Sequence, residues 1–323
     1  LAKSPASLKR TFATWSYSSY TIDTENLEEA MKIADASVAE GADILEVGTP
    51  LLLGEGIHAI LALRKKYPDV PIVADVKIMD AGYAETIMCA NAGTDGCFTK
   101  YVKCPERVLH QIPENVSFDE AALSEPACVA YNAVLVNSHI NPGEPVAIIG
   151  PGPIGLFAVQ MARIAGAYPI ILMGTTADSD RLNFGKSIGA DSIVNVIEED
   201  PVTIINKLTD HMGVPRVIDA AGNTPAVKTS MDIVKRGGQI TKIAWGAKPL
   251  ELSLDPIIQK AAFLKGSFSH TWTTGEAVLQ LIKSGKLDMK QMISHTYKLD
   301  DWLKAFETID KKIAVKAVIH PNA

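Results

Sequence analysis

Cysteine is scarce in this chain and poorly spaced for metal or cross-link chemistry. The four cysteines, Cys89, Cys97, Cys104 and Cys128, make no Cys-x-x-Cys pair. That spacing argues against a structural zinc knuckle and a disulfide framework, and it suits a reducing cytoplasm. No apolar run approaches the ~18 residues of a membrane span. Lys and Arg are scattered under a net charge of −6. Neither a membrane nor nucleic acid is therefore an expected partner. The seven histidines, His58, His110, His139, His211, His270, His295 and His320, include no i, i+4 pair, so the helical two-histidine zinc signature is missing. Each reads first as a surface or packing residue. Internal repeats and low-complexity blocks are also absent.

What is present points to a soluble globular protein acting on a small molecule, and a homo-oligomer is an open alternative. A length of 323 residues with 47% apolar content supports one or more substantial cores and about two domains. The first twenty residues carry Lys3, Lys9, Arg10 and many Ser and Thr, with no acid before Asp23. This reads either as a transit-type leader or as a plain tail over residues 1–22. A start at Leu1 rather than Met suggests a fragment.

From Asp23 the chain alternates in a βα rhythm. Leu27 to Ala39 has helical spacing, Ile44 to Val47 is a short apolar strand, Gly56 to Lys66 is a second helix, and Ile72 to Lys77 is another strand. Parallel βαβ units place their sites at the carboxyl ends of strands. Glu46, Asp75 and Lys77 fall at such ends. Charges there are costly to bury alone and call for one another, a metal or a substrate. Two carboxylates from neighbouring strands can hold Mg²⁺, and a lysine between carboxylates stays protonated and can steady an enediolate. The Asp-x-Lys-x-x-Asp pattern alone also fits an ordinary exposed helix. Its context is more specific: Asp23-Thr24, Leu45-Glu46-Val47-Gly48-Thr49-Pro50-Leu51 and Ala74-Asp75-Val76-Lys77-Ile78-Met79-Asp80-Ala81-Gly82-Tyr83 together resemble hexulose-6-phosphate synthase, of the orotidine-phosphate decarboxylase superfamily. The resemblance implies Glu46 and Asp75 as Mg²⁺ ligands and Lys77 as the electrophilic partner. It further implies Asp80 as a residue lent to a neighbouring subunit and Asp23 as a substrate contact. It covers three βα units of the roughly eight that a barrel needs, and Tyr20-Thr21-Ile22 is a poor version of a first barrel strand. Residues 23–96 are thus read as a partial βα-barrel segment without its phosphate-gripping loops, and lyase activity ranks second.

After Thr94-Asp95-Gly96 the character changes. Cys97 to Lys103 reads as an amphipathic strand, and Ser117 followed by Glu120 forms a capping box at a helix start. Pro145 to Ile149 is a buried strand leading into Gly150-Pro151-Gly152-Pro153-Ile154-Gly155, which opens the apolar helix Leu156 to Ala165. This is the strand–loop–helix context that a dinucleotide fingerprint requires. Gly150 permits the turn, Gly152 lets backbone approach a pyrophosphate, and Gly155 allows close helix packing; amides at the helix start then face the phosphates. The bland alternative is a structural glycine turn. The next strand, Ile170 to Met173, exits at Gly174-Thr175-Thr176 with no acid where an NAD site offers one about 20 residues on. Gly174 removes repulsion of a 2′-phosphate, and Thr175, Thr176 or Arg181 can meet one, so NAD and NADP are both expected cofactors. Asp178 and Asp180 read as helix caps.

Three further strand exits, Val217 to Asn223, Gly237 to Ile240 and Ile243 to Gly246, join Leu123-Ser124-Glu125-Pro126 and Lys316 to Pro321. Together they resemble the medium-chain dehydrogenases, closest to the zinc-dependent polyol, alcohol and threonine subgroup. The resemblance covers residues 97–323. It implies a remnant of the catalytic domain at 97–130, an NAD(P)-binding Rossmann domain at 131–262 and a carboxyl-terminal segment at 263–323. It also implies that Gly222 and Asn223 lie near the adenosine half, with Ala244 to Gly246 beside the nicotinamide. The family's Gly-His-Glu motif is missing, which leaves Glu125 as the sole inherited position near the metal; zinc is not expected, and Mg²⁺ only if the lyase site forms. The expected fold is α/β, a doubly wound parallel Rossmann sheet preceded by a partial TIM-barrel-like segment. The expected function is an NAD(P)-binding oxidoreductase-like protein with impaired hydride transfer. A Mg²⁺-dependent sugar-phosphate aldolase or decarboxylase and a non-catalytic chimera joined near Ala92 to Gly96 are the alternatives. Trp245 is expected first in the core, with a place over the nicotinamide as the alternative, and Lys298 to Lys312 as a solvated amphipathic helix.

Overall fold

The computed structural model describes residues 19–22, 24, 26–42, 44–48, 51, 55, 57–70, 72–74, 109–246 and 248–321. The chain divides into two compact units, residues 1–103 and 104–323.

In the first unit, β1 (Ser19–Ile22), β2 (Ile44–Val47) and β3 (Ile72–Ala74) form a parallel sheet in the order β1-β2-β3. Ile22 pairs with Val47, and Val47 with Ala74. Ser19–Ile22 is thus a paired strand, although its sequence matches a first barrel strand poorly. The connecting helices are Leu27–Ala39 and Ile57–Lys66. Asn26 caps the first by accepting the Glu29 amide at 2.9 Å. Ala30, Ala34 and Ser37 recur at helical spacing on its buried face, and the two alanines pack with Ile22, Leu45, Val47, Ile60 and Leu63 in one apolar cluster.

The second unit centres on a six-stranded parallel sheet: β4 (Val146–Ile149), β5 (Ile170–Gly174), β6 (Ser192–Asn195), β7 (Val214–Asp219), β8 (Val234–Lys242) and β9 (Phe263–Gly266). Their order is β6-β5-β4-β7-β8-β9. This is the doubly wound Rossmann order, whose switch point lies between β4 and β7. Every residue of β4 and β5 is buried, as expected for strands covered by helices on both faces. Phe157, Leu156 and Met161, on the helix Pro153–Ile164, are fully buried in a cluster that includes Ile148, Ile170 and Leu172. Burial on this scale stabilises by about 1.5–3 kcal/mol per large apolar side chain.

The expected capping box opens the helix Phe118–Ala122: Ser117 Oγ accepts the Glu120 amide at 3.3 Å, and Glu120 Oε2 accepts the Ser117 amide at 3.0 Å. A second helix, Ser124–Tyr131, follows and ends in a π turn over Asn132–Asn137. The carboxyl-terminal segment contributes the helix Trp272–Lys283 and a two-stranded parallel sheet of β10 (Ile293–Lys298) and β11 (Lys316–His320). The amphipathic stretch after Lys298 forms a 3₁₀ turn over Leu299–Asp301 and an α-helix over Trp302–Asp310. Among the described residues, no helix is long and apolar enough to cross a membrane.

Candidate functional site

The switch point holds the glycine loop, and each glycine there has its own geometric reason. Gly150 leaves β4 at φ +100°, a left-handed conformation that favours glycine, and a Cβ on it would lie 3.0 Å from Ala220 and Ala221 at the β7 exit. At Gly155 a Cβ would stand 1.8 Å from the Gly150 carbonyl oxygen, so the helix packs onto its own entry turn. Gly152 differs: its φ of −71° suits any residue, and a Cβ there would meet nothing within 4 Å. It is the N-cap of Pro153–Ile164 and offers no side-chain cap. Backbone amides in the first turn of a helix lack intrahelical acceptors. With an uncapped start, a positive helix end and open space at Gly152, this donor set suits an anion such as a pyrophosphate. Pro153 stands in the first turn, where its missing N–H costs nothing, and Ile154 packs against the main core.

Around this loop, the β5 exit is closely built. A Cβ on Gly174 would approach Pro151 Cγ at 2.8 Å, so the two exits are in contact. Thr175 Oγ1 donates to Asp178 Oδ2 at 2.7 Å, and Lys312 Nζ donates to Asp178 Oδ1 at 3.1 Å. Burial pushes the Asp178 carboxyl up, but Thr175 and Lys312 outweigh it and hold it below the usual carboxylate range. Asp178 thus closes a capping box with Thr175 on the 3₁₀ turn Thr176–Asp178; it stands at the cap position of the next helix, Ser179–Ser187, but makes no side-chain cap bond there, because its carboxylate is turned back to Thr175. Arg181 Nη2 donates to the Ala314 carbonyl at 2.9 Å, which ties its guanidinium to the carboxyl-terminal segment. Burial lowers its pKa from the usual arginine value. Thr176 Oγ1 accepts Asn195 Nδ2 at 2.9 Å.

The β7 and β8 exits meet across the sheet. Gly222 has φ +73°, and a Cβ there would lie 2.8 Å from the Ala244 carbonyl carbon; one on Gly246 would lie 3.2 Å from the Gly222 oxygen. Asn223 Oδ1 accepts the Ala226 amide at 3.0 Å and caps the helix Thr224–Ile233. Trp245 is 59% exposed and stacks on Phe268 with centroids 5.7 Å apart. The expectation of a core aromatic is thereby corrected: it follows a strand exit, where the next side chain leaves the sheet.

Glu125 lies apart from the glycine loop, in a cleft of about 480 Å³ lined by His110, Phe118, Glu125, Cys128, His270 and Leu279. Its Oε1 is 3.9 Å from His270 Nδ1. Burial, with the Glu125 charge adding to it, pushes the Cys128 thiol up to about 12, so it is not a ready thiolate. Burial lowers the Lys316 ammonium below the usual lysine range, against the Glu125 charge. His110 stacks on Trp272 at 3.7 Å and holds Glu276 Oε1 through Nδ1. Among the described residues, no group of three His, Cys, Asp or Glu side chains can hold a metal ion. A catalytic zinc needs three protein ligands, and this donor set does not fit one.

In the first unit, Glu46 is half-buried in β2, paired in register with Thr21 and Val73. Asp23, Asp75, Lys77 and Asp80 lie outside the described residues. Sequence reasoning missed Asp219 and Lys242, which end β7 and β8. The signal was available for the first: an acid closing the apolar run Val217-Ile218 invites the question applied to Glu46.

Residues 153–284 match the family model of zinc-binding dehydrogenases, and residues 19–101 match that of the orotidine 5′-phosphate decarboxylase / HUMPS family. The chain is 34% identical over 229 residues to D-arabitol-phosphate dehydrogenase of Enterococcus avium, covering 71% of this chain and 65% of that protein. With sorbitol dehydrogenase of Bacillus subtilis it shares 30% identity over 290 residues, 89% of this chain and 78% of that one. Among solved structures, 2R,3R-butanediol dehydrogenase from Bacillus subtilis superposes with a TM-score of 0.66 at 28% identity, covering 72% of this chain and 66% of that one. The chain thus spans slightly less than two thirds of several relatives, 65% for the Enterococcus enzyme and 66% for a sorbitol dehydrogenase of Halalkalibacterium halodurans. Sheet order, glycine loop and shared sequence agree: the chain belongs to the zinc-type medium-chain alcohol and polyol dehydrogenases.

Proposed function

We propose that this chain binds NAD or NADP at residues 150–155, flanked by the exits at 174–176, 222–223 and 244–246, and that it is a dehydrogenase-type protein with impaired hydride transfer to an alcohol. The observation that carries this reading is the contrast within one loop: Gly150 and Gly155 are required by packing, whereas Gly152 faces open space at an uncapped helix start. Packing does not explain a glycine there; an approaching phosphate does. A bound nicotinamide ring supplies the hydride donor or acceptor. The chain's own residues hold the pyrophosphate through backbone amides, flank the adenosine half with Gly222 and Asn223, and frame the nicotinamide end with Ala244 to Gly246. Impairment rests on the donor set around Glu125, which does not polarise an alcohol oxygen as a three-ligand zinc site would. The missing acid at Gly174-Thr175-Thr176 supports acceptance of either nucleotide. In a nicotinamide-fluorescence titration, NADH or NADPH is expected to bind saturably below about 1 mM, and Gly152→Asp is expected to abolish binding by placing charge against the pyrophosphate. Failure of both nucleotides to saturate the wild type overturns the proposal.

A second reading, a Mg²⁺-dependent sugar-phosphate lyase, is favoured by the parallel sheet β1-β2-β3 with Glu46 near a strand end and by the family match over residues 19–101. It expects Mg²⁺-dependent turnover of ribulose 5-phosphate with formaldehyde that Lys77→Ala removes. Turnover unchanged by that substitution, or none with Mg²⁺ present, excludes it.

A further inference from the structure

The last residues of β7 and β8, a buried aspartate and a partly buried lysine, form an ion pair that ties two cofactor-facing loops together. Asp219 is fully buried. One of its carboxylate oxygens, Oδ1, accepts the amides of Ala221 at 3.1 Å and Gly222 at 2.9 Å. The other, Oδ2, accepts Lys242 Nζ at 3.2 Å. Lys242 Nζ also donates to the Ala244 carbonyl. The Asp219 carbonyl in turn accepts the amides of Ile243 at 2.9 Å and Ala244 at 3.3 Å. Both loops thus converge on one charge pair, and the peptide after Ala244 is fixed in orientation where Gly222 packs against it at a distance that admits no Cβ.

An ion pair at a fully buried carboxylate is a poor device for stability, because desolvation offsets much of the attraction. It is well suited to fixing geometry, since each oxygen has directional partners and leaving any of them unmet is costly. We infer that Asp219 and Lys242 are positioning residues that set the spacing between the Gly222 loop, on the adenosine side, and the Ala244–Gly246 loop, on the nicotinamide side, so that a whole dinucleotide fits between them. The inference rests on the nucleotide-binding reading above. Neither side chain touches the cofactor; both act through the backbone they hold.

The two halves of the cofactor separate this role from general stabilisation. Lys242→Met removes the charge that spans the loops and leaves the glycine loop intact. It should weaken NADH or NADPH binding at least tenfold, while ADP, which needs only the glycine loop and the adenosine side, binds within about twofold of wild type, a ratio well above titration error. Lys242→Arg should recover most of the dinucleotide affinity, and Asp219→Asn should reproduce the selective loss. Circular dichroism checks that each variant is folded. Wild-type binding with unchanged dinucleotide affinity in both loss variants overturns the latch. A parallel loss of ADP and dinucleotide overturns it too and assigns the pair to the fold. If the wild type binds neither NADH nor NADPH, the nucleotide-binding reading itself fails, and the latch with it.

Discussion

Glycine-to-alanine substitutions separate fold from function residue by residue. At Gly155 the added methyl would lie 1.8 Å from a carbonyl oxygen of the same loop, so the helix must back away from β4. Overpacking of this kind costs about 1–3 kcal/mol, and urea unfolding of Gly155→Ala should show a loss in that range. At Gly152 the same methyl meets open space with an ordinary backbone conformation. Gly152→Ala should leave stability unchanged or raise it by up to about 1 kcal/mol, so any fall in nucleotide affinity there reports on the ligand alone. The three glycines were legible in the sequence because their spacing and flanking strand and helix are local. The partnership of Asp219 with Lys242 was not: its members are 23 residues apart in the chain, and only the pairing of β7 with β8 brings them together. Trp245 was misread for a related reason, since whether an aromatic after a strand turns inward depends on the path of the loop.

At the scale of elements, the capping box before the helix Phe118–Ala122 makes a pH-dependent prediction. Bonds from Ser117 hold the Glu120 carboxyl below its usual range, burial opposes them, and Lys290 adds a small favourable charge against the repulsion of Asp288. A carboxyl lowered on folding contributes stability that is present above its unfolded pKa and is lost as pH falls through the folded value. Ser117→Ala should therefore cost about 1 kcal/mol near neutrality, and thermal melts should show that difference shrinking as pH falls below the ordinary glutamate range. A constant difference across pH assigns the cost to the hydroxyl alone. The capping box was readable from its Ser-x-x-Glu spacing, β2 from a short mainly apolar run between two helices, and β4 and β5 because burial on both faces gives continuous apolar runs. Strand β1 was less legible, since a four-residue strand gains its stability from pairing with Ile44–Val47 rather than from its own composition.

Across the whole molecule, the two family matches fall on separate stretches of chain, residues 19–101 and 153–284, in keeping with the change of character read near Gly96. The Rossmann order was legible because alternating strands and helices with a glycine loop leave few alternatives. The chemistry around Glu125 was legible only in outline: the missing Gly-His-Glu motif was plain, while the company of Cys128, His270 and Lys316 depends on folding β11 back toward the helix Ser124–Tyr131. The central claim is that the loop from Gly150 to Gly155 holds a dinucleotide. Calorimetric titration of the wild type and Gly152→Asp with NADH and NADPH tests it most directly. Saturable binding of at least one nucleotide below about 1 mM to the wild type, and a flat trace for the folded variant, is the predicted result. A flat wild-type trace with both nucleotides, or equal binding by the two proteins, contradicts it.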